Sequence, residues 1–204
     1  MNAALFVTLM LTGAVLYIGD LSALVGRRNL VKHVHVYAGL ALPVPVLLGL
    51  LLRSGTAFRA DVKRLSRWSP DDKRWWSRRT RARAQLGKFN PGQKLNASFV
   101  AAAIVVMLAT GSIMFWFHYF SDDWRTGATF VHDWFAFFIW LSVLGHIGFA
   151  LRDPVSLSSM ARGPVPEQWA IDKRPRWYVE VHDAEAPEPG DGDEIASGTP
   201  TTGR

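Results

Sequence analysis

The chain has 204 residues, of which 49% are hydrophobic, yet its mean hydropathy is only +0.08. Apolar and charged residues must therefore lie in separate stretches, which disfavours a soluble single domain and suits a small membrane bundle. The sequence contains no cysteine, which excludes disulfides, cysteine-ligated iron–sulfur clusters, thiolate zinc sites and covalently attached c-type haem.

Four apolar segments approach or exceed the roughly 20 residues that a helix needs to cross a bilayer. They are residues 3–25, 31–52, 96–117 and 129–151. The first segment could be a cleaved signal peptide, but no Lys or Arg precedes it and no clear small-residue cleavage site follows it. A membrane span is therefore favoured there, and the four segments predict an all-α membrane protein built as a four-transmembrane-helix bundle.

Positive charge is concentrated in one predicted loop, residues 53–95. Of the 23 Lys and Arg residues, 13 lie between Arg53 and Lys94, against three acidic residues. The positive-inside rule predicts that this loop and both termini are cytoplasmic, although Arg27 and Arg28 argue weakly for the opposite orientation. The Arg and Trp residues of the loop could suggest nucleic acid, but beside two spans they favour anchoring to anionic lipid of the bilayer. No nucleic-acid partner is expected.

Two segments follow the last predicted span. Residues 152–181 form a C-terminal extension, and residues 1–181 together are predicted to be one membrane domain. Residues 182–204 are acidic, rich in Pro, Gly and Thr, and without apolar periodicity. That composition predicts a disordered tail.

Histidines inside the apolar segments are functional candidates, because burying an ionisable group in hydrocarbon is costly. His35, His132 and His146 lie inside the segments, whereas His33 and His118 lie closer to helix ends. His132 and His146 are 14 residues apart, which is about 1400° of rotation, some 40° short of four turns, and roughly 21 Å along the axis. Two ligands on one face at opposite leaflets suit two stacked b-type haems, for which neutral imidazole is a usual axial ligand.

A haem held by two histidines needs both at one depth. His132 and His35 each lie about four residues inside the predicted outer end of their helices, so we pair them. Gly39 shares the face of His35 and would let a porphyrin approach the backbone. His33 is the rival in the same helix, but it points about 200° away. The alternative for the whole set is interhelical hydrogen bonding, or a proton path without haem.

His146 has no evident partner. A second histidine should lie at the cytoplasmic end of the first or third helix, and the printed sequence has none there. Met1 or Met10 could coordinate in its place, as methionine does in some cytochromes. Two haems are therefore expected and one is possible.

Several stretches of the chain resemble a known family. The match covers about residues 5–181 and is carried by the histidine pair and by short runs of sequence. These runs are LVKHVHVYAG at 30–39, GKFNPGQK at 87–94, MARG at 160–163 and PRWY at 175–178. On these features the chain resembles the cytochrome b (gamma) subunits of respiratory formate dehydrogenases. It is also similar to the wider group of four-helix cytochrome b subunits of hydrogenases and related dehydrogenases.

The resemblance implies roles for individual residues. His35 and His132 would ligate the outer haem b, and His146 the inner haem beside a menaquinone site. That quinone site would involve Asn90, Gly92 and Gln93, since amides can donate hydrogen bonds to a quinone carbonyl and glycine permits close approach. The other interpretation of this run is a simple entry turn into the third helix. A proline at position 91, where alanine is more usual, departs from the family pattern.

A larger departure lies at the start of the chain. The family carries a histidine just before the segment that resembles residues 2–6, and here Met1 stands in its place. The unpartnered His146 and the missing basic flank fit a start assigned too far downstream. We therefore expect a longer native product that supplies the second ligand.

By the resemblance, the protein is a cytochrome b subunit of the bacterial inner membrane. It would accept electrons from an iron–sulfur partner subunit and pass them to menaquinone. The primary substrate chemistry would belong to a separate molybdopterin catalytic subunit, since this chain carries no residues for it. The alternatives are a haem-free membrane anchor that docks a peripheral oxidoreductase, and the cytochrome b of a hydrogenase or another molybdopterin oxidoreductase.

Overall fold

The computed structural model describes residues 2–185, so Met1 and residues 186–204 of the predicted tail lie outside the described part of the chain. Within that part the backbone forms helices joined by turns and contains no strand, which confirms the all-α class. The α-helices are α1 Asn2–Tyr17, α2 Gly19–Val25, α3 Arg28–Ala41, α4 Val44–Leu51, α5 Thr56–Ser66, α6 Pro70–Trp76, α7 Pro91–Phe115, α8 Asp122–Leu151, α9 Pro154–Arg162, α10 Glu167–Lys173 and α11 Pro175–Glu185.

Among the described residues, three segments are long and apolar enough to cross a membrane: Arg28–Leu51, Pro91–Phe115 and Asp122–Leu151. The bent pair Ala3–Tyr17 and Gly19–Val25 makes a fourth if it counts as one span. Helix α1 packs against α3, and α7 packs against α8, so the bundle consists of two helical hairpins that meet through α3 and α7. The predicted membrane bundle is confirmed.

The first predicted span, 3–25, is not one straight helix. Its two halves, α1 and α2, meet at 103°, and Ile18 between them has an extended backbone. Nη1 of Arg28, at the start of α3, donates hydrogen bonds to the Leu16 carbonyl at 3.0 Å and to the Ser22 hydroxyl at 2.8 Å. The last carbonyls of a helix lack partners within it, so this cation stabilises the bend.

The second predicted span, 31–52, is also divided. Helix α3 ends at Ala41, and α4 begins at Val44 after a turn at Leu42 and Pro43. Proline has no N–H and its ring clashes with the preceding helical turn, so the helix cannot continue unbroken through Pro43. The two pieces still form one apolar segment long enough to span.

The third and fourth spans begin earlier than predicted. Helix α7 begins at Pro91, five residues before the predicted start of 96–117, because Asn90 caps it. Helix α8 begins at Asp122, seven residues before the predicted start of 129–151, and its 30 residues make a rod of about 45 Å. That length exceeds the roughly 30 Å hydrocarbon core, so α8 is longer than an untilted crossing requires.

Packing inside the bundle depends on small residues. Ala38 of α3, Ala103 of α7 and Ala128 of α8 are buried, and Ala103 has no exposed surface. Small side chains let membrane helices approach closely. Large apolar side chains instead lie exposed on the spanning helices, among them Val7, Leu47, Val105 and Phe149. This distribution suits a protein whose solvent is lipid rather than water.

The predicted loop 53–95 is folded rather than extended. It contains α5 and α6, and its centre is a buried ion pair in which Lys94 Nζ donates to Asp72 Oδ2 at 2.8 Å. The backbone N–H and hydroxyl of Ser69 donate to the same carboxylate oxygen. Lys94 also donates to the Arg67 carbonyl at 2.8 Å. These bonds fix α6 to the first turn of α7.

The predicted C-terminal extension returns to this loop. The guanidinium of Arg64 on α5 donates to Glu180 Oε1 of α11 at 2.8 Å, and the Arg176 backbone N–H donates to the Leu86 carbonyl at 3.2 Å. Helix α11 runs to Glu185, so the first four residues of the predicted tail, 182–185, are helical. The loop and the extension thus form one folded unit at that end of the bundle.

Candidate functional site

Two predicted site histidines lie side by side between the hairpins. His35 is on α3 and His132 is on α8, and their ring centres are 6.4 Å apart with the ring planes at 65°. Both side chains are partly buried. The structure therefore brings together the two histidines that were paired by depth, while their role as ligands stays a prediction.

Each of these rings contacts a threonine of the other helix in its own hairpin. Nδ1 of His35 lies 2.9 Å from Oγ1 of Thr12 on α1. Nδ1 of His132 lies 2.9 Å from Oγ1 of Thr110 on α7. Because both Nδ1 atoms are engaged in hydrogen bonds, the Nε2 atoms are the ones left to bind a further group.

A glycine follows each of these threonines and faces the same ring. A Cβ built on Gly13 would lie 3.3 Å from Cε1 of His35, and one on Gly111 would lie 3.4 Å from Cε1 of His132. The predicted Gly39 is placed differently, because its Cβ would meet Leu9 of α1 at an ordinary 3.7 Å. The glycines that admit the imidazoles are thus on the helices opposite them.

The other histidines have different surroundings. Nδ1 of His33 lies 2.8 Å from the Asn29 carbonyl of its own helix, and its ring contacts Phe115. His146 is exposed, and within residues 2–185 its side chain makes no hydrogen bond. One turn earlier on the same helix, Ser142 donates to the Asn96 side chain. This hydrogen bond links α8 to α7 close to His146.

The predicted quinone residues form the start of α7. The Gln93 N–H donates to Oδ1 of Asn90 and the Asn90 N–H donates to Oε1 of Gln93, both at 2.9 Å. This reciprocal pair is a capping box, which satisfies two backbone donors at the helix start. Both amide oxygens are used in the cap, so the two NH₂ groups are the donors that it leaves over. A Cβ on Gly92 would lie 3.6 Å from the Trp75 ring.

The pair of His35 and His132 fits a metal-centred group held from two sides. A ring-centre separation of 6.4 Å leaves room for one metal with a bond of about 2 Å to each imidazole. No cluster of three or more His, Cys, Asp or Glu residues that could hold a bare ion occurs within residues 2–185. Two imidazoles alone suit an iron whose remaining ligands come from a porphyrin, as in haem.

Comparison with known families identifies the class of protein. Residues 1–163 match the profile of the family described as prokaryotic cytochrome b561, which is most of the 204-residue chain. The chain belongs to that family. It is a membrane-embedded b-type cytochrome of electron transport, and its cofactor is haem b.

Individual relatives carry names from formate dehydrogenases. The cytochrome b556 subunit of formate dehydrogenase from Haemophilus influenzae is 28% identical over 181 residues, covering 86% of this chain and 75% of that protein. The nitrate-inducible cytochrome b556(Fdn) subunit of Escherichia coli K12 is 32% identical over 107 residues, covering 50% and 49%. Its cytochrome b556(fdo) subunit is 29% identical over 99 residues, covering 47% and 46%. The match thus spans about half the length of the E. coli relatives, and the predicted resemblance is confirmed.

Sequence reasoning missed the two threonine–glycine pairs, Thr12–Gly13 and Thr110–Gly111. One signal was available: the first helix of each hairpin carries a similar run, MLTG at 10–13 and MLATG at 107–111. A repeated polar residue beside a glycine in the middle of two apolar helices indicates that both pairs make a similar contact with a neighbouring helix. The histidine that each pair contacts depends on how the helices pack, which the sequence alone does not give.

Proposed function

We propose that this cytochrome is the membrane subunit of a formate dehydrogenase-like complex, and that it transfers electrons from an iron–sulfur partner subunit to menaquinone. The observation that carries the proposal is the contact between His35 and His132, whose free Nε2 atoms are available at one depth in the bundle. The names of the relatives support the choice of complex.

His35 and His132 would hold one haem b through their Nε2 atoms. The bound haem supplies reversible one-electron transfer at its iron. With both imidazoles bound to it, the iron would have no place for a substrate, so this site would suit electron transfer rather than catalysis on a small molecule. The primary oxidation, proposed to be of formate, then belongs to a molybdopterin catalytic subunit.

A second haem b is proposed near His146, at the other end of the bundle. His146 is exposed on α8, so its imidazole would be accessible there to a cofactor. The haem count per chain would follow from whether a second ligand joins His146.

The menaquinone site is proposed at the start of α7. The capping box leaves the NH₂ groups of Asn90 and Gln93 as hydrogen-bond donors, and these could bind the carbonyl oxygens of a quinone. Gly92 would keep the backbone accessible, with Trp75 as an aromatic wall. The folded unit of loop and extension would close this end against water.

The orientation is proposed from charge. The 13 basic residues between Arg53 and Lys94 favour the cytoplasmic face of a bacterial inner membrane, with both termini on that side. The His35 and His132 site would then lie toward the outer leaflet, where an iron–sulfur subunit can donate electrons. Electrons would thus enter at the outer face and reach quinone at the inner one.

The test is a dithionite-reduced minus oxidised spectrum of the purified native complex, with haem per chain quantified as the pyridine haemochrome. The expected result is a b-type α-band that formate reduces and a menaquinone analogue reoxidises. A folded complex without haem would overturn the proposal and leave a membrane anchor. A haem reduced by hydrogen but not by formate would overturn the formate dehydrogenase assignment in favour of a hydrogenase.

A further inference from the structure

The two threonines that contact the candidate ligands are each bound on two sides. Oγ1 of Thr12 lies 2.6 Å from the carbonyl oxygen of Thr8, one turn earlier in α1, and 2.9 Å from Nδ1 of His35. A carbonyl oxygen accepts hydrogen bonds and cannot donate them. The threonine hydroxyl must therefore be the donor in the bond to Thr8.

The second hairpin repeats the arrangement. Oγ1 of Thr110 donates to the Val106 carbonyl, one turn earlier in α7, at 2.8 Å, and lies 2.9 Å from Nδ1 of His132. Thr110 is buried, with 8% of its surface exposed, so water does not compete for these bonds. The two halves of the site therefore have the same chain of partners, from a carbonyl through a hydroxyl to an imidazole.

This chain of partners determines where each imidazole carries its proton. A hydroxyl has one hydrogen, and here it is given to the carbonyl, so toward the ring the hydroxyl can only accept. The ring must then be protonated at Nδ1, and its lone pair must be at Nε2. We infer that Thr12 and Thr110 are positioning residues that hold His35 and His132 in the tautomer whose Nε2 can bind iron. The inference rests on the proposed role of these histidines as haem ligands.

The neighbouring glycines leave room for the two rings. A Cβ on Gly13 would approach Cε1 of His35 to 3.3 Å, which is tighter than ordinary contact, and one on Gly111 would approach Cε1 of His132 to 3.4 Å, at the edge of ordinary contact. Since Cε1 lies between the two ring nitrogens, a side chain at Gly13 would press on the ring beside the atom that is bonded to the threonine. Each threonine–glycine pair thus combines one acceptor with one gap for the imidazole.

The hydrogen bond also affects the metal. An imidazole that donates from Nδ1 becomes a more basic ligand through Nε2. A more basic ligand favours ferric over ferrous iron and lowers the midpoint potential. Removing the acceptor should therefore raise the potential, and each tenfold loss of ferric over ferrous affinity corresponds to about 59 mV for a one-electron couple.

The test is the midpoint potential and haem content of the Thr12→Val and Thr110→Val variants in the native complex, beside Thr12→Ser and Thr110→Ser. Valine keeps the shape and removes the hydroxyl, whereas serine keeps the hydroxyl. Loss of such a partner typically costs 10–100-fold in metal affinity. We expect each valine variant either to lose haem or, where a tenfold loss falls on the ferric form, to shift the potential upward by about 59 mV. The serine variants should resemble the native protein.

A matched control is Thr129→Val on α8. Thr129 donates to the Arg125 carbonyl as the other two threonines do to theirs, but it is not bonded to a histidine. The Thr129→Val variant should therefore leave the midpoint potential of the haem unchanged. Unchanged potential and haem content in both Thr12→Val and Thr110→Val would overturn the inference, and so would serine variants that behave like the valine ones.

A second readout separates this inference from the proposed function. In protein labelled with ¹⁵N and prepared without haem in detergent, the imidazole nitrogen shifts report the tautomer directly. We expect protonation at Nδ1 in His35 and His132, lost in the valine variants. Absence of haem in the native complex would overturn the proposed function, whereas protonation at Nε2 in the haem-free protein would overturn the role of the threonines.

Discussion

The two ends of the bundle differ in how much of a cofactor site the described residues provide. Toward one end, His35 and His132 face each other, and each has a hydroxyl partner and a glycine that admits its ring. At the other end, where α7 begins and α8 finishes, His146 is exposed and without a hydrogen bond in residues 2–185. We call these the paired end and the capped end.

The difference shows that a ligand site is defined by what surrounds the ligand as much as by the ligand itself. At the paired end, ring positions are set by contacts between all four long helices. At the capped end, the ordered polar groups serve the fold: Asn90 and Gln93 cap α7, and Lys94 is bonded to Asp72. A cofactor at the capped end must therefore use groups that the fold leaves over.

The largest effect is expected from removing a proposed haem ligand at the paired end. His35→Ala or His132→Ala should abolish haem binding there, because each variant would leave the haem with one protein ligand instead of two. The measurement is haem per chain in the purified complex. His33→Ala is the matched control, since His33 lies on the same helix but bonds to Asn29 of its own turn. Loss of haem in the control and retention in His35→Ala would reverse the assignment.

The next effect tests whether the capped end binds haem at all. His146→Ala should remove one haem from a two-haem complex and leave the absorption and midpoint potential of the other unchanged. Independence is expected because His132 and His146 are separated by roughly 21 Å along α8. A native complex that holds two haems and keeps both in this variant would show that His146 is not a ligand.

The helices were predictable from hydropathy, because a bilayer requires long apolar segments. The bend at Ile18 was not, since the apolar run continues through it and the bond from Arg28 that stabilises it depends on the packing of another helix. Likewise, the depth of His35 and His132 could be counted along the chain. The rotation that aims them at Thr12 and Thr110 is set by packing between helices and could not be counted.

A third prediction concerns stability at the capped end. Asp72 and Lys94 form an ion pair with side chains 2% and 4% exposed, and removing one partner of a buried pair typically costs about 3–5 kcal/mol. Asp72→Ala should lower the free energy of unfolding by that amount, measured by denaturation in detergent, while the haem proposed at the paired end is retained at low denaturant.

The control for that prediction is Asp122→Ala. Asp122 pairs with Arg125 at the surface, where its side chain is 92% exposed, and exposed pairs contribute at most about 1 kcal/mol. An equal loss of stability in the two variants would mean that burial does not decide the strength of these pairs. The comparison thus measures how much the capped end depends on its buried charges.

The same pair predicts a dependence on pH. Burial alone would raise the pKa of Asp72, but hydrogen bonds from Lys94 and from Ser69, with the Lys94 charge, outweigh it and hold the pKa below its usual 3.8. A carboxyl whose pKa is lowered by folding stabilises the protein above its unfolded pKa, and this stabilisation is lost as the pH falls through the folded pKa. Native protein should therefore lose stability below about pH 4 more steeply than Asp72→Ala. If the free energy of unfolding fell equally steeply with pH in the native protein and in Asp72→Ala, the ion pair would be contradicted.

The smallest effect on stability gives the sharpest test of the quinone site. Asn90→Ser retains a good helix cap and should change stability little, whereas Asn90→Ala should cost about 1 kcal/mol. Both variants remove the amide NH₂ group. If that group binds quinone, both variants should raise the KM for a menaquinone analogue. Gln93→Glu, which keeps the oxygen of the capping box, should do the same.

If Asn90 serves the cap alone, the quinone kinetics of Asn90→Ser should match those of the native complex. The capped end would then be structural, and quinone would have to bind elsewhere on the bundle.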